Sequence, residues 1–224
     1  MPPRLDPAMT TTPDHAREVV HVASLLASRL CHDLVNPVGA LNTGLEVLEG
    51  EQDAEMREHA MALIKESAAK TVALLTFARM AFGASGEWEG TIDAGEAGAL
   101  SRELYVFSKA DLRWDVPPGP MSKAAARTLL NLVLIAERCV PRAGSTVRAE
   151  AEGGTVTVTA SGARAKLSDE LVRALSGDAG TLDAKATPAY LAHLLAAASG
   201  GTVAATMEEG EGENVIRFEA TLPG

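Results

Sequence analysis

Arg29-Leu30-Cys31-His32-Asp33-Leu34-Val35-Asn36-Pro37-Val38 is the stretch on which the reading of this chain turns. It lies inside a long amphipathic repeat. Val19, Ala23, Leu26, Leu30, Leu34, Pro37, Leu41, Leu45 and Leu48 recur every three or four residues, the period of an α-helix. His32 stands two residues from Leu30 and two from Leu34. At about 100° per residue it is turned roughly 200° from the apolar seam, toward solvent. A histidine on the seam would be packing; this one is displayed. An acid follows it directly, and Ser28, Arg29, Asn36, Gly39 and Thr43 share its face as small or polar residues that leave room for a docked protein.

Helix signals extend the reading outward. Thr12-Pro13-Asp14 supplies a capping hydroxyl, a first-turn proline and an acid at the positive dipole end. The pattern predicts a first helix from about 13 to 48, kinked near Pro37 and stopped at Gly50. A second runs from about 54 to 82 with its seam at Met61, Ile64, Ala68, Thr71, Leu75, Ala78 and Phe82. Two such helices cannot cover their apolar stripes alone, so a second copy completing a four-helix bundle is expected. Residues 1–12, rich in Pro and Thr, are expected to be disordered. The hairpin domain is placed at 13–83.

From about residue 87 to 224 the pattern becomes mixed. Helices are predicted over 97–108, 122–139, 167–175 and 187–198. A short strand is predicted at 112–116, with hairpins at 147–160 and 202–222, the first turning on Gly153-Gly154. The fold class is α+β, a helical hairpin followed by a two-layer α/β domain.

The 30 acidic residues against 20 basic give a net charge of −10, which excludes nucleic acid and anionic membranes as natural partners. No apolar run is long enough to span a bilayer and residues 1–12 lack a signal-peptide core, so a cytoplasmic location is expected. Cys31 and Cys139 have no metal-ligand spacing and form no disulfide framework.

A neutral imidazole nitrogen is nucleophilic near pH 7, and a phosphoryl group placed on it remains reactive enough to be passed on. Such a site needs an exposed ring nitrogen, a neighbour controlling the other nitrogen's proton, and open surroundings. His32, Asp33 and the small face around them meet these needs. His15, His59 and His193 lack that context. His21 shares the face of His32 but has neither an acid nor Asn-Pro beside it.

His32-Asp33-Leu34-Val35-Asn36-Pro37 resembles the phosphoacceptor box of two-component histidine kinases, His-Glu/Asp-Leu-x-Thr/Asn-Pro. The resemblance implies that His32 takes the phosphoryl group, that Asp33 assists proton transfer, and that Asn36 assists reverse hydrolysis. It also implies an ATPase-like second domain, whose motifs are degenerate here. Leu129-Leu130-Asn131-Leu132-Val133-Leu134-Ile135-Ala136 resembles the kinase Leu-Leu-Asn-Leu-x-x-Asn-Ala helix, with Ile135 at the magnesium-binding Asn. Ala160 and Arg164 replace the Asp and second Gly of the Asp-x-Gly-x-Gly box. Ala186-Thr187-Pro188-Ala189 replaces the phosphate-binding Gly-Leu-Gly-Leu, and Pro188 removes a backbone N–H. Each apolar replacement would leave a polar ligand atom unpaired, at on the order of 1–3 kcal/mol.

An intact phosphoacceptor box beside a degenerate kinase-like domain resembles the ChpT histidine phosphotransferases over nearly all of residues 13–224. That implies a homodimer without bound ATP, metal or other cofactor. It would accept a phosphoryl group from the receiver of a CckA-like hybrid kinase and deliver it to CtrA- and CpdR-like response regulators of a cell-cycle circuit. Mg2+ would sit on the receiver partner. The alternatives are an active histidine kinase with a divergent ATP site and a non-catalytic dimeric adaptor.

Overall fold

The computed structural model describes residues 13–83, 89–180 and 182–223. The stretch 1–12, expected to be disordered, lies outside the described residues. Helix α1 (Pro13–Gly50) is one continuous helix with Pro37 inside it. Helix α2 (Ala54–Phe82) begins where the Asp53 carboxylate accepts from Met56 N at 3.0 Å. It ends at Gly83, whose φ of +75° closes the helix in the left-handed conformation. Arg57 donates to the carbonyls of Leu48 and Glu51, tying the short connection to the second helix. The hairpin packs closely at Gly44, where a Cβ would lie 2.6 Å from Ile64 Cγ1.

The buried stripe differs from the expected seam. On α1 the buried residues are Val22, Arg29, Pro37 and Gly44, while Val19, Ala23 and Leu45 are exposed. On α2 the buried set is Ala60, Ser67, Ala73, Phe77, Ala78 and Ala81; Met61 and Leu75 face outward. The reason is that each helix serves more than one surface. Val22 and Leu26 join the core of the second domain, so the inward face of α1 is shared between α2 and a distant part of the chain.

The second domain holds β1 (Thr91–Asp93), α3 (Ala94–Tyr105), β2 (Asp111–Asp115), β3 (Pro120–Ser122), α4 (Lys123–Cys139), β4 (Thr146–Glu152), β5 (Thr155–Gly162), α5 (Asp169–Leu175), α6 (Thr187–Ala198), β6 (Thr202–Glu209) and β7 (Asn214–Thr221). Five strands form one sheet in the order β2-β4-β5-β7-β6, with β2 parallel to β4 and the other pairs antiparallel. The predicted turn at Gly153-Gly154 is present, both glycines having positive φ as a two-residue hairpin of this hand requires. Strands β1 and β3 form a separate antiparallel pair that the period did not predict. They are three residues each, too short for alternation to register.

One face of the large sheet is apolar and covered by helices. Val147, Ala149, Val158, Ile216 and Phe218 meet Leu129, Val133 and Ile135 of α4. The other face is polar, with Arg148 paired to Asp115 and Glu150, and Arg217 to Glu219. This is the two-layer α/β arrangement expected from the sequence.

Further contacts join the hairpin to this domain. Phe77 and Ala81 of α2 pack with Ala97, Leu130 and Leu134. Asn131, fully buried, donates to Ala81 O at 2.9 Å, and Arg127 donates to Phe82 O at 3.0 Å, so α4 caps the last carbonyls of α2. Farther along, the Tyr190 hydroxyl of α6 donates to the Glu18 carboxylate of α1.

Candidate functional site

The His32 side chain is 67% exposed, as its offset from the seam predicted. Its Nδ1 lies 3.3 Å from Asp33 Oδ1. Asp33 is itself held: Arg29, one helical turn earlier, donates from Nε to Asp33 Oδ2 at 2.5 Å. The two carboxylate oxygens are thereby divided, one facing the imidazole and one facing the guanidinium.

Arg29 departs from the open face on which it was expected. Its side chain is only 5% exposed, and Nη1 reaches Lys185 O, 156 residues away in sequence, at 3.5 Å. The loop before α6 covers it. Arg29 therefore supports Asp33 from below and offers no surface for docking. Ser28, Asn36, Gly39 and Thr43 are exposed on the face with His32, as expected. A Cβ at Gly39 would meet nothing within 4 Å, and Thr43 turns its hydroxyl inward to Gly39 O. The helix surface beyond His32 is thus low and unobstructed.

On its other flank His32 borders a cleft of about 350 Å³ between the hairpin and the second domain. Asp33, Asn36 and Lys70 line it from the hairpin; Phe107, Glu137 and Arg138 line it from the second domain. Ser108 donates to the Glu137 carboxylate at 3.0 Å, which fixes that acid at the rim. Sequence reasoning missed Lys70, Phe107, Glu137 and Arg138, because only the docking of α3 and α4 against α2 brings them here. Arg138 could have been found as the cation ending the apolar α4 helix.

The remaining histidines do not share this arrangement. His59 is exposed beside Glu55 at 3.9 Å, and His193 Nδ1 lies 3.0 Å from Leu175 O. Cys139 is buried, which pushes its thiol up to about 12 and leaves it un-ionised at neutral pH.

The positions that the kinase resemblance assigns to ATP and magnesium carry side chains of a different kind. Ile135, Ala160 and Ala186 are all buried side chains without an oxygen or nitrogen to offer. The Asp183 carboxylate accepts from Lys185 N at 2.7 Å and from Ala186 N at 2.8 Å, so these N–H groups ahead of α6 are already paired. Thr187 N donates to Asp183 O. No helix of the described residues is long and apolar enough to cross a membrane.

Comparison with known proteins agrees with this geometry. Residues 94–211 match the family described as "Histidine phosphotransferase C-terminal domain". The protein phosphotransferase ChpT of Brucella abortus (strain 2308) is 44% identical over 124 residues, covering 55% of this chain and 58% of that protein. The match thus spans less than two thirds of that relative. A solved structure of a bacterial phosphotransferase is 32% identical over 94% of this chain and 98% of its own, with a TM-score of 0.75. A helical hairpin displaying His32, joined to an ATPase-like domain of this relationship, identifies the chain as a member of the ChpT-type histidine phosphotransferase family.

Proposed function

We propose that this protein relays a phosphoryl group between receiver domains, with His32 as the carrier. The observation that carries the reading is the orientation of the His32 ring: exposed, with Nδ1 turned to an Asp33 carboxylate that Arg29 holds in place. With its proton on Nδ1, the imidazole donates to Asp33 and keeps the Nε2 lone pair for attack. The Nε2–P bond forms as the O–P bond of a partner's aspartyl phosphate breaks, and the partner's carboxylate leaves. The positive charge gained by the ring is balanced by Asp33. Transfer onward reverses these bonds onto a second aspartate. Most of the rate comes from positioning, and Mg2+ on the receiver would screen the transferred group. Asn36 faces the same cleft and would order water for hydrolysis of the phosphorylated histidine.

The partners of this reading are the receiver domain of a CckA-like hybrid kinase as donor and CtrA- and CpdR-like regulators as acceptors, in the cytoplasm and in a cell-cycle circuit. Ser28, Gly39 and Thr43 form the open helix surface on which they would dock. We assign the protein to homodimers because Val35, Val38 and Leu45 of α1 and Val72 and Leu75 of α2 leave large apolar side chains exposed. The second domain supplies docking surface and takes no nucleotide.

The test is transfer of labelled phosphate from a purified phosphorylated receiver. The protein acquires acid-labile label without added ATP, and His32→Ala acquires none. Label on His32→Ala would remove the site assignment, and labelling from ATP alone would establish a kinase instead.

A further inference from the structure

Beyond the His32 cleft, the second domain holds a recess of about 610 Å³ where the three degenerate nucleotide boxes converge. Ile135, Arg164 and Ala186 all line it. Its floor is apolar and fixed: Ile135, Cys139 and Ala186 belong to the main core. Its walls are cationic. Among the described residues, Arg138, Arg142, Arg164, Lys166 and Lys185 line it with one acid, Glu170, and the charges of Asp33, Glu137 and Asp183 also reach Arg138. A chain of net charge −10 has thus gathered a quarter of its 20 basic residues around one recess.

Clustered like charge opposes folding unless something neutralises it. Arg138 is half-buried and is not held by a direct hydrogen bond or ion pair among the described residues; Asp33, Glu137 and Asp183 offset its charge from a distance, while Arg29 opposes it. Asp183, the acid nearest in sequence to Lys185, is turned to the backbone N–H groups of Lys185 and Ala186. A planar guanidinium with idle donors, beside four further cations over an apolar floor, is suited to a compact anion with several oxygens.

The geometry points to a polyanion site: we infer that this recess binds a small molecule carrying a di- or triphosphate-like group, read by Arg138, Arg142, Arg164, Lys166 and Lys185 without recognition of an adenine. The volume falls in the range of small-molecule pockets, and the floor is anchored in the core. The inference does not depend on the phosphorelay reading. Arg138 is also the single residue shared with the lining of the His32 cleft, so occupancy would draw a cation away from that cleft's rim.

The test is calorimetric titration of the full chain with sodium tripolyphosphate, pyrophosphate and orthophosphate at low and at near-physiological salt. A single site is expected, tightest for tripolyphosphate and weakened by salt. Arg164→Ser with Lys166→Ser, both exposed and away from the core, should weaken it at least tenfold. The control pair Lys109→Ser with Arg113→Ser, exposed elsewhere, should change it less than twofold. Circular dichroism confirms that both pairs are folded. Absence of binding overturns the inference, as does an equal loss from the control pair, which would mean diffuse charge. Binding of MgATP a hundredfold tighter than tripolyphosphate would also overturn it, by revealing a nucleotide site. Loss of label transfer at His32 would bear on the relay and leave these titrations unaffected.

Discussion

Replacing Arg29 with methionine keeps the length and apolar stem of the side chain while deleting its charge and its donors. The wild-type pair is short, 2.5 Å from Nε to Asp33 Oδ2, with side-chain exposures of 5% and 24%. Removing one partner of a fully buried pair costs about 3–5 kcal/mol, because the other charge is left without compensation. Asp33 retains a quarter of its surface in water, so the loss is reduced to about 2 kcal/mol. For a chain of this size that corresponds to a fall of roughly 4–8 °C in Tm. The second consequence is kinetic. Without Arg29 the Asp33 carboxylate is free to turn from Nδ1 of His32, and a loss of about 1.4 kcal/mol in positioning slows transfer about tenfold. Thermal unfolding and receiver-to-histidine transfer rates are measured on Arg29→Met, Asp33→Asn and the double variant. The double variant should be more stable than Arg29→Met alone, since no charge is orphaned. An Arg29→Met protein with unchanged Tm, or one that is destabilised but transfers phosphate at the wild-type rate, refutes the reasoning.

Three further outcomes are expected. Gly83→Ala places a Cβ 2.3 Å from the Arg127 Cζ at a φ of +75°, so it both strains the backbone and displaces the guanidinium from Phe82 O. Differential scanning calorimetry should record a loss of about 2 kcal/mol or more. Cys139 controls part of the alkaline stability. Its folded thiol sits at about 12 against 9.0 for the free group, so the native state holds a proton that the unfolded chain releases. Stability therefore falls between about pH 9 and 12, by up to about 1.4 kcal/mol per pH unit, and Cys139→Ala should flatten that slope in denaturant titrations. Finally, Val35→Asp with Val72→Asp puts charges on the exposed apolar stripes of α1 and α2; on the proposed homodimer, light scattering should report a dimer for the parent chain and a monomer for the variant.

The outward display of His32 was legible because it rests on helical period alone: two residues from the seam in either direction is the far side of the helix. The alternation of β4, β5 and β7 and the Gly153-Gly154 turn were legible for the same reason, each being set within a few residues. The burial of Arg29 was not. A helical wheel puts it on the flank of the His32 face, and the atoms that cover it belong to the loop at Lys185. The real stripes of α1 and α2 were misread likewise, since Val22 and Leu26 pack against a domain that begins some seventy residues later. Asn131 shows the limit from another side. Its place in a Leu-Leu-Asn-Leu stretch suggested the remnant of a nucleotide motif. Its amide is committed to Ala81 O and Arg127 O, where it joins two domains.

That joint bears on how the molecule works. Helix α4 is tied at Arg127 and Asn131 to the end of α2, and α6 is tied to α1 through Tyr190 and Glu18, with Lys185 O over Arg29 beside it. Both helices of the hairpin are therefore engaged by the second domain at once. Swinging that domain would break the buried Asn131–Ala81 bond and the part-buried bonds of Arg127, Tyr190 and Arg29, and expose Phe77, Ala81, Leu130 and Leu134. Fixed in this way, the basic recess and the His32 cleft meet only at Arg138. On the proposed relay, the phosphoryl group would arrive at the open side of α1, where Ser28, Asn36, Gly39 and Thr43 are exposed. A domain locked against its own histidine is poorly suited to phosphorylate it and well suited to hold it still for a visitor.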